Sequence, residues 1–316
     1  MLVKSSFVTT SVSVVTRDRS SEVDLPRLQS GVQPQRLLTT LLGDYWNGRK
    51  EHIPSAALVH LLADFGISTV GARAALSRLA RRGLLDSSRI GRNTYYGLTG
   101  QAADALREGA GRILSFGQCH TPWDGHWTVA AFSIPEEQRD VRHAVRNKLR
   151  WLGFAPLYDG MWVTPRSVAD AAFRMFAELD VSQATIMTAT AETGIIGPRS
   201  PIEAWDLRDL RSRYEEFIVV HTPLLGRIRL GEVGPSESLV ARTAVMDAWR
   251  RFPSLDPDLP LDLLPARWPR GEAHQVFGEI YNALAPRAVD RVCQIIMEIS
   301  PELDGLVRHY TITWDC

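Results

Sequence analysis

The chain has 316 residues, 45% of them hydrophobic, and its 36 Lys plus Arg balance 36 Asp plus Glu to a formal net charge of zero. That is enough material for two or three packed domains, and the neutral balance excludes a polybasic protein that coats nucleic acid without selectivity. Three cysteines, Cys119, Cys293 and Cys316, lack CxxC spacing, which argues against a disulfide framework or a cysteine zinc site and fits a reducing cytoplasm.

Residues 1–32 are rich in Ser, Thr and Val without the continuous apolar run of a signal peptide, and read as a mobile leader. No apolar stretch of about 18 residues marks a membrane span. A first domain is expected over 33–112. Pro34 opens a helix where its missing N–H is no loss, with Leu37, Leu38, Leu41, Leu42 and Tyr45 at helical spacing. A second helix is expected over 53–65, with Ala57, Leu58, Leu61, Leu62 and Phe65 inward and Gly66 as its stop. His60 stands among apolar neighbours on that helix and reads as a structural histidine.

A third helix follows after a very short turn. Ser68 is suited to cap it and Gly83 to end it, which predicts a helix over 69–82. At about 100° per residue, Ala72, Leu76 and Leu79 share one face, while Thr69, Arg73, Ser77, Arg78 and Arg81 occupy the opposite arc with Arg82 on its flank. Two short strands are expected at 84–88 and 94–98, joined by a turn that carries Arg89 and Arg92. From 73 to 92 the arginines are 73, 78, 81, 82, 89 and 92, against the single acid Asp86. A short turn between two helices, then a hairpin, is a winged helix-turn-helix. Charge of one sign on such a helix suits the DNA major groove, where arginine bonds guanine edges or phosphates. The candidate DNA contacts are therefore Thr69, Arg73, Ser77, Arg78, Arg81, Arg82, Arg89, Arg92 and Tyr95, the last on the second wing strand. Thr99 is placed to cap a further helix over 101–109.

A second domain is expected over 122–195. Residues 127–134 alternate as a strand, 136–152 form an amphipathic helix, 155–158 and 161–164 a hairpin through Asp159-Gly160, 167–179 a helix and 183–191 a last strand. The order β-α-β-β-α-β is a ferredoxin-like plait. Its first helix presents Arg142, Arg146, Lys148 and Arg150 near Trp151 and Trp162, a candidate site for a phosphate-bearing ligand such as a coenzyme A ester; a solvated face over core tryptophans is the plainer reading of the same residues. Cys119, His120, Asp124 and His126 lie close together but match no metal-ligand pattern. Residues 200–316 are expected to form a mostly helical domain, in which Leu207, Leu210, Tyr214 and Phe217 mark one helix and Val240, Ala244 and Ala248 another. Five prolines between 253 and 269 predict an extended connector, two more helices follow, and 309–314 alternate as a strand. This is core spacing rather than a cofactor box, so neither cofactor nor metal is expected.

GDYW at 43–46, LLADFGI and ALSRLARRGLL within 61–85 and RIGRNTYYGLT at 89–99 resemble the PaaX family of bacterial transcriptional repressors. The likeness continues through WDGHWTVAAFSIPEEQRDVRHAVRNKLRWLGFAPLYDGMWVTPR at 123–166 and DPDLPLDLLPARWP at 256–269. It implies an α+β architecture: an N-terminal winged helix-turn-helix, a central Cas2-like plait and a helical C-terminal domain. It also implies control of aromatic catabolism and an aryl-acetyl coenzyme A effector, phenylacetyl-CoA being the type ligand. The expected molecule is a cytoplasmic homodimer that represses from a pseudo-palindromic operator in double-stranded DNA. An alternative makes the plait a metal-dependent nuclease or hydrolase targeted by the winged helix. No carboxylate lies on its first strand and no nucleophile–base pair is evident, so the chain is read as no enzyme. In a further alternative the winged helix binds another protein.

Overall fold

The computed structural model describes residues 33–118, 122–190 and 200–313. The leader, Cys119, His120 and the end of the alternating run at Trp314 lie outside the described residues. The N-terminal part runs α1 (Pro34–Tyr45), β1 (Ile53–Pro54), α2 (Ser55–Ala63), α3 (Thr69–Arg81), β2 (Leu85–Ile90), β3 (Asn93–Leu98) and α4 (Gly100–Ser115). Its small antiparallel sheet has the order β1-β3-β2.

Residues 53 and 54 are a correction, since they belong to the sheet and not to the second helix. Ile53 pairs with Tyr96 and Pro54 with Tyr95. A residue that precedes proline avoids the helical region, and proline itself is tolerated on an edge strand. The fourth helix also runs past Gly109 to Ser115, because Ile113 and Leu114 beyond it pack against the C-terminal core. That burial outweighs the weak helix propensity of Gly109 and Gly111.

The plait comprises β4 (Trp127–Phe132), α5 (Arg139–Trp151), β5 (Ala155–Tyr158), β6 (Met161–Thr164), α6 (Ala169–Glu178) and β7 (Ala184–Ala189). Every pairing is antiparallel in the order β5-β6-β4-β7, so β4 and β5 flank β6 as a split β-α-β unit. Gly160 in the β5–β6 turn is required by close approach: a Cβ there would lie 2.9 Å from the Phe132 carbonyl oxygen. One face of the sheet packs Ala130, Phe154 and Trp162 against Val145, Leu149, Ala172 and Phe176 of the two helices. The other buries Trp127, Val129, Leu157 and Val163 beneath Trp123, Trp205 and Leu263.

The C-terminal part contains α7 (Leu207–Arg229), α8 (Pro235–Trp249), α9 (Phe252–Leu255), α10 (Arg270–Ala283) and α11 (Ala285–Met297). Three expectations are corrected here. Val240 and Ala244 are not on the inward face of α8, which buries Leu239, Arg242, Thr243, Val245, Met246 and Trp249, while Ala248 is partly buried against that core. A helix covered on several sides has no single apolar stripe. The proline-rich connector is not wholly extended, because Pro253 sits in the first turn of α9, where it fits. Residues 309–313 form no strand. Instead the Asn282 side chain takes the place of a strand partner, donating to the Ile312 carbonyl at 2.8 Å and accepting from its N–H at 2.9 Å, while Ile312 is buried.

The winged helix shares its core with this helical part. Leu239, Ala288, Val292, Ile295 and Ile296 join Leu38, Leu42, Leu62 and Leu76 in one cluster. Arg242, 0% exposed, is the central strut. It donates to Asp44 at 3.3 Å, the Tyr45 hydroxyl at 3.1 Å, the Tyr281 carbonyl at 3.0 Å and the Tyr310 carbonyl at 2.9 Å, with its guanidinium 3.6 Å from the centre of the Tyr281 ring. Burial pushes the Asp44 carboxyl up, and Arg242 pulls it back. Arg291 clamps Asp64, in the turn ahead of α3, with two bonds of 2.7 and 2.8 Å. The motif at 256–269 performs a similar bridging task. Buried Arg270 reaches Asp258 at 2.8 Å and Asp256 at 3.6 Å, Tyr214 donates to Asp256 at 2.5 Å, and Arg166 of the plait donates to the Pro257 carbonyl at 2.6 Å.

Candidate nucleic-acid interface

Helix α3 begins as its sequence dictates, with the Ser68 hydroxyl accepting from the Gly71 N–H at 3.2 Å. Ala72, Ala75, Leu76 and Leu79 are buried, which fixes the rotation of the helix and turns Thr69, Arg73, Ser77, Arg78 and Arg81 to solvent; Arg82 lies exposed at its C-cap. Arg78 Nε donates to the Ala74 carbonyl at 3.2 Å, so this side chain lies along its own helix. Arg73 and Arg81 have no ion-pair partner among the described residues.

The wing is longer than its sequence suggests. Residues Ile90 and Asn93 are a paired rung, leaving Gly91 and Arg92 as a two-residue turn. Gly91 has φ +61°, the positive value that a type II′ hairpin places at its first central position, whereas Asn93 needs no such value. Arg92 therefore stands at the tip and Arg89 one rung below it, both exposed and without an ion pair among the described residues. The base of the hairpin is locked. His52 Nδ1 meets Ser88 Oγ at 2.8 Å, and Gly97 leaves room for the His52 ring, which a Cβ would approach to 2.4 Å. Tyr96 packs on the core and Tyr95, one residue earlier, lies on the opposite side of the strand, half-buried.

Two residues of this surface escape a search for charge. Val70 is 79% exposed in the first turn of α3, and Ile90 is 64% exposed beside the wing tip. Val70, Arg73 and Ser77 recur at helical spacing along the same outward side. An apolar side chain there suits the methyl group of thymine, and an apolar residue at a wing tip suits a minor groove. The available signal was the absence of any core position for Val70 on a helix whose inward face was already complete.

The plait residues are not gathered into one place. Trp162 is 1% exposed in the plait core, whereas Trp151 is 83% exposed at the end of α5. Arg142 donates to the Ile134 carbonyl at 2.7 Å, Lys148 pairs with Glu178 at 2.9 Å, and Arg150 lies 5.4 Å from the Trp162 ring centre. Arg146 is half-buried on the same helix. Of the six, Lys148 and Trp151 share a shallow groove with Arg174 and Glu178. Asp124 accepts from the His126 N–H at 2.9 Å and from the Ser167 hydroxyl at 3.2 Å, so it ties its own loop to the segment between β6 and α6. Among the described residues, no group of three or more His, Cys, Asp or Glu side chains is placed to hold a metal ion, and no helix is long and apolar enough to cross a membrane.

A recognition-type helix with bare arginines, followed by a wing and carried on a larger sensor-sized body, places the chain among winged-helix transcription regulators. Family models confirm and narrow this. Residues 33–102 match the PaaX-like protein model, 120–200 the PaaX protein central Cas2-like domain and 205–293 the PaaX-like protein C-terminal domain. The transcriptional repressor PaaX of Escherichia coli (strain K12) is 28% identical over 260 residues, which is 80% of this chain and 81% of that protein. A solved structure of an uncharacterized protein from Mycobacterium tuberculosis shares the fold, with a TM-score of 0.52 at 23% identity over 82% of this chain and 98% of the other. The chain belongs to the PaaX family of transcriptional repressors.

Proposed function

We propose that this repressor binds double-stranded operator DNA as a homodimer, with α3 in the major groove and the β2–β3 wing against the flanking backbone. The observation that carries the reading is the local charge: six arginines from 73 to 92 against Asp86, in a chain whose net charge is zero. Arg73, Ser77 and Val70 are assigned to bases, and Arg81, Arg82, Arg89 and Arg92 to phosphates or the minor groove. Two winged helices related by a two-fold axis read pseudo-palindromic half-sites one or more helical turns apart. Family likeness supports release by an aryl-acetyl coenzyme A ester, acting by no more than its differential affinity for the free and DNA-bound forms.

The plait is read as a scaffold and not as a nuclease, since β4 carries no carboxylate. Incubation of the protein with labelled DNA fragments from its own upstream region, with Mg²⁺ or Mn²⁺ present, tests both statements together. The expected result is a retarded band and an intact strand; cleavage contradicts the scaffold role, and absence of any salt-sensitive retardation contradicts DNA binding.

A further inference from the structure

Helices α1 and α8 run antiparallel, as the pairs Asp44–Arg242 and Arg36–Asp247 show. Between them and the turn that follows α2 lies a cleft of about 730 Å³. Its walls belong to both halves of the regulator. Leu37 and Phe65 come from the winged helix, and Val240 and Ala244 from α8, giving an apolar floor. Val240 and Ala244 on the outward side of α8 thus line this space, with Ala248 at its margin between the cleft and the core.

One end of the cleft is cationic. Arg36 is 4% exposed and its Nε has no hydrogen-bond partner, although its Nη2 meets Asp247 at 2.5 Å. Asp247 is also held by Arg250 at 3.2 Å, and the other acid of the cleft, Asp64, is taken by Arg291. Arg251 lines the same space with no ion pair among the described residues. The first turn of α1, whose N-cap Gln33 makes no side-chain cap hydrogen bond, contains no acidic residue.

We infer that this cleft is the effector site, and that it takes a bulky amphipathic organic anion: an acyl or aryl group over Leu37, Phe65 and Val240, joined to a carrier whose negative charge meets Arg36 and Arg251. The inference rests on the reading of the chain as a ligand-released repressor and adds where the ligand sits. The space is of the size that encloses a drug-sized molecule rather than a bare acid. Its position supplies the coupling. Gly66, with φ +74°, lines the cleft two residues before the Ser68 cap of α3, so a ligand that parts α8 from this turn shifts the recognition helix relative to the helical domain.

The test is calorimetric titration of the full chain with phenylacetyl-CoA, phenylacetate and coenzyme A alone. Ala244→Trp fills the cleft from an exposed position without removing a buried contact, and should weaken thioester binding about tenfold or more. Arg251→Gln should weaken it about threefold to tenfold. Trp151→Ala on the plait should leave it unchanged. Tight binding of phenylacetate that Ala244→Trp abolishes keeps the site and assigns it the smaller anion. Coenzyme A binding as tightly as its thioester overturns the role of the apolar floor. Wild-type affinity in both cleft variants overturns the site and leaves the repressor intact, as does a protein that retards DNA and binds none of the three compounds. Loss of binding in Trp151→Ala alone moves the site to the plait.

Discussion

Arginines in the winged helix and in the helical domain meet opposite surroundings. Arg73, Arg81, Arg89 and Arg92 stand in solvent with no carboxylate partner among the described residues, whereas Arg242 and Arg270 are almost fully buried and each is bonded to acid. The difference teaches that charge count along a segment is informative only where the partners are local. The stretch from 73 to 92 has one acid to offer, and Arg73, Arg81, Arg89 and Arg92 have no ion-pair partner among the described residues. Arg242 finds Asp44 across 198 residues of sequence.

The largest effect is expected where the buried set is broken. Arg242→Ala strands Asp44 in the interior and should lower unfolding free energy by about 3–5 kcal/mol. Urea denaturation measures it; a decrease below about 1 kcal/mol would show that the strut is not a structural centre. Arg73→Ala tests the other side of the contrast. It should leave the melting temperature within about 1–2 °C while weakening the best operator by about 1–3 kcal/mol, with base preference relaxed at one position of each half-site. Val70→Ala sharpens that assignment. Replacement of thymine by uracil in the operator should weaken the wild type at one step per half-site and leave the variant nearly indifferent, by roughly 1 kcal/mol.

The smallest effect is a pH dependence confined to the helical domain. His274 is buried against Trp249, and burial holds its ring below the ordinary value of 6.5, against a backbone hydrogen bond with Leu114 that raises it. Its neutral form is favoured in the folded state. The stability it contributes is therefore complete above about pH 6.5 and declines as pH falls from there toward the depressed folded value. His274→Gln should flatten that part of the stability profile without altering the affinity for DNA at pH 7.5; an unchanged slope would assign the dependence elsewhere.

Much of this was legible in the residues. The Ser68 cap, the Ala72-Leu76-Leu79 face and Pro34 set α3 and α1 nearly to the residue, and the hairpin at 155–164 follows from alternation and Asp159-Gly160. Local periodicity reports local structure. It could not show that Ile53 and Pro54 close a sheet with Tyr95 and Tyr96, since that pairing is made more than forty residues away. Nor could it orient α8, which is wrapped by α1, α10 and α11, or reveal that the winged helix and the C-terminal helices share one core. The candidate interface was readable because its arginines are crowded into a stretch with a single acid, Asp86. The plait cluster was misleading as a unit because a tryptophan in sequence carries no mark of whether it lies in the core, as Trp162 does, or outside it, as Trp151 does.

The salt dependence of DNA affinity tests most directly whether the exposed arginines are the interface. Fluorescence anisotropy with one operator fragment, from about 50 to 200 mM salt, should give a steep linear fall in log affinity for the wild type. Arg89→Ala with Arg92→Ala should reduce that slope by roughly one for each phosphate left unneutralised, and weaken specific and non-specific duplexes alike. A double variant with wild-type affinity and wild-type slope would contradict the account, because the bare cations of the wing would then be a solvated surface and nothing more.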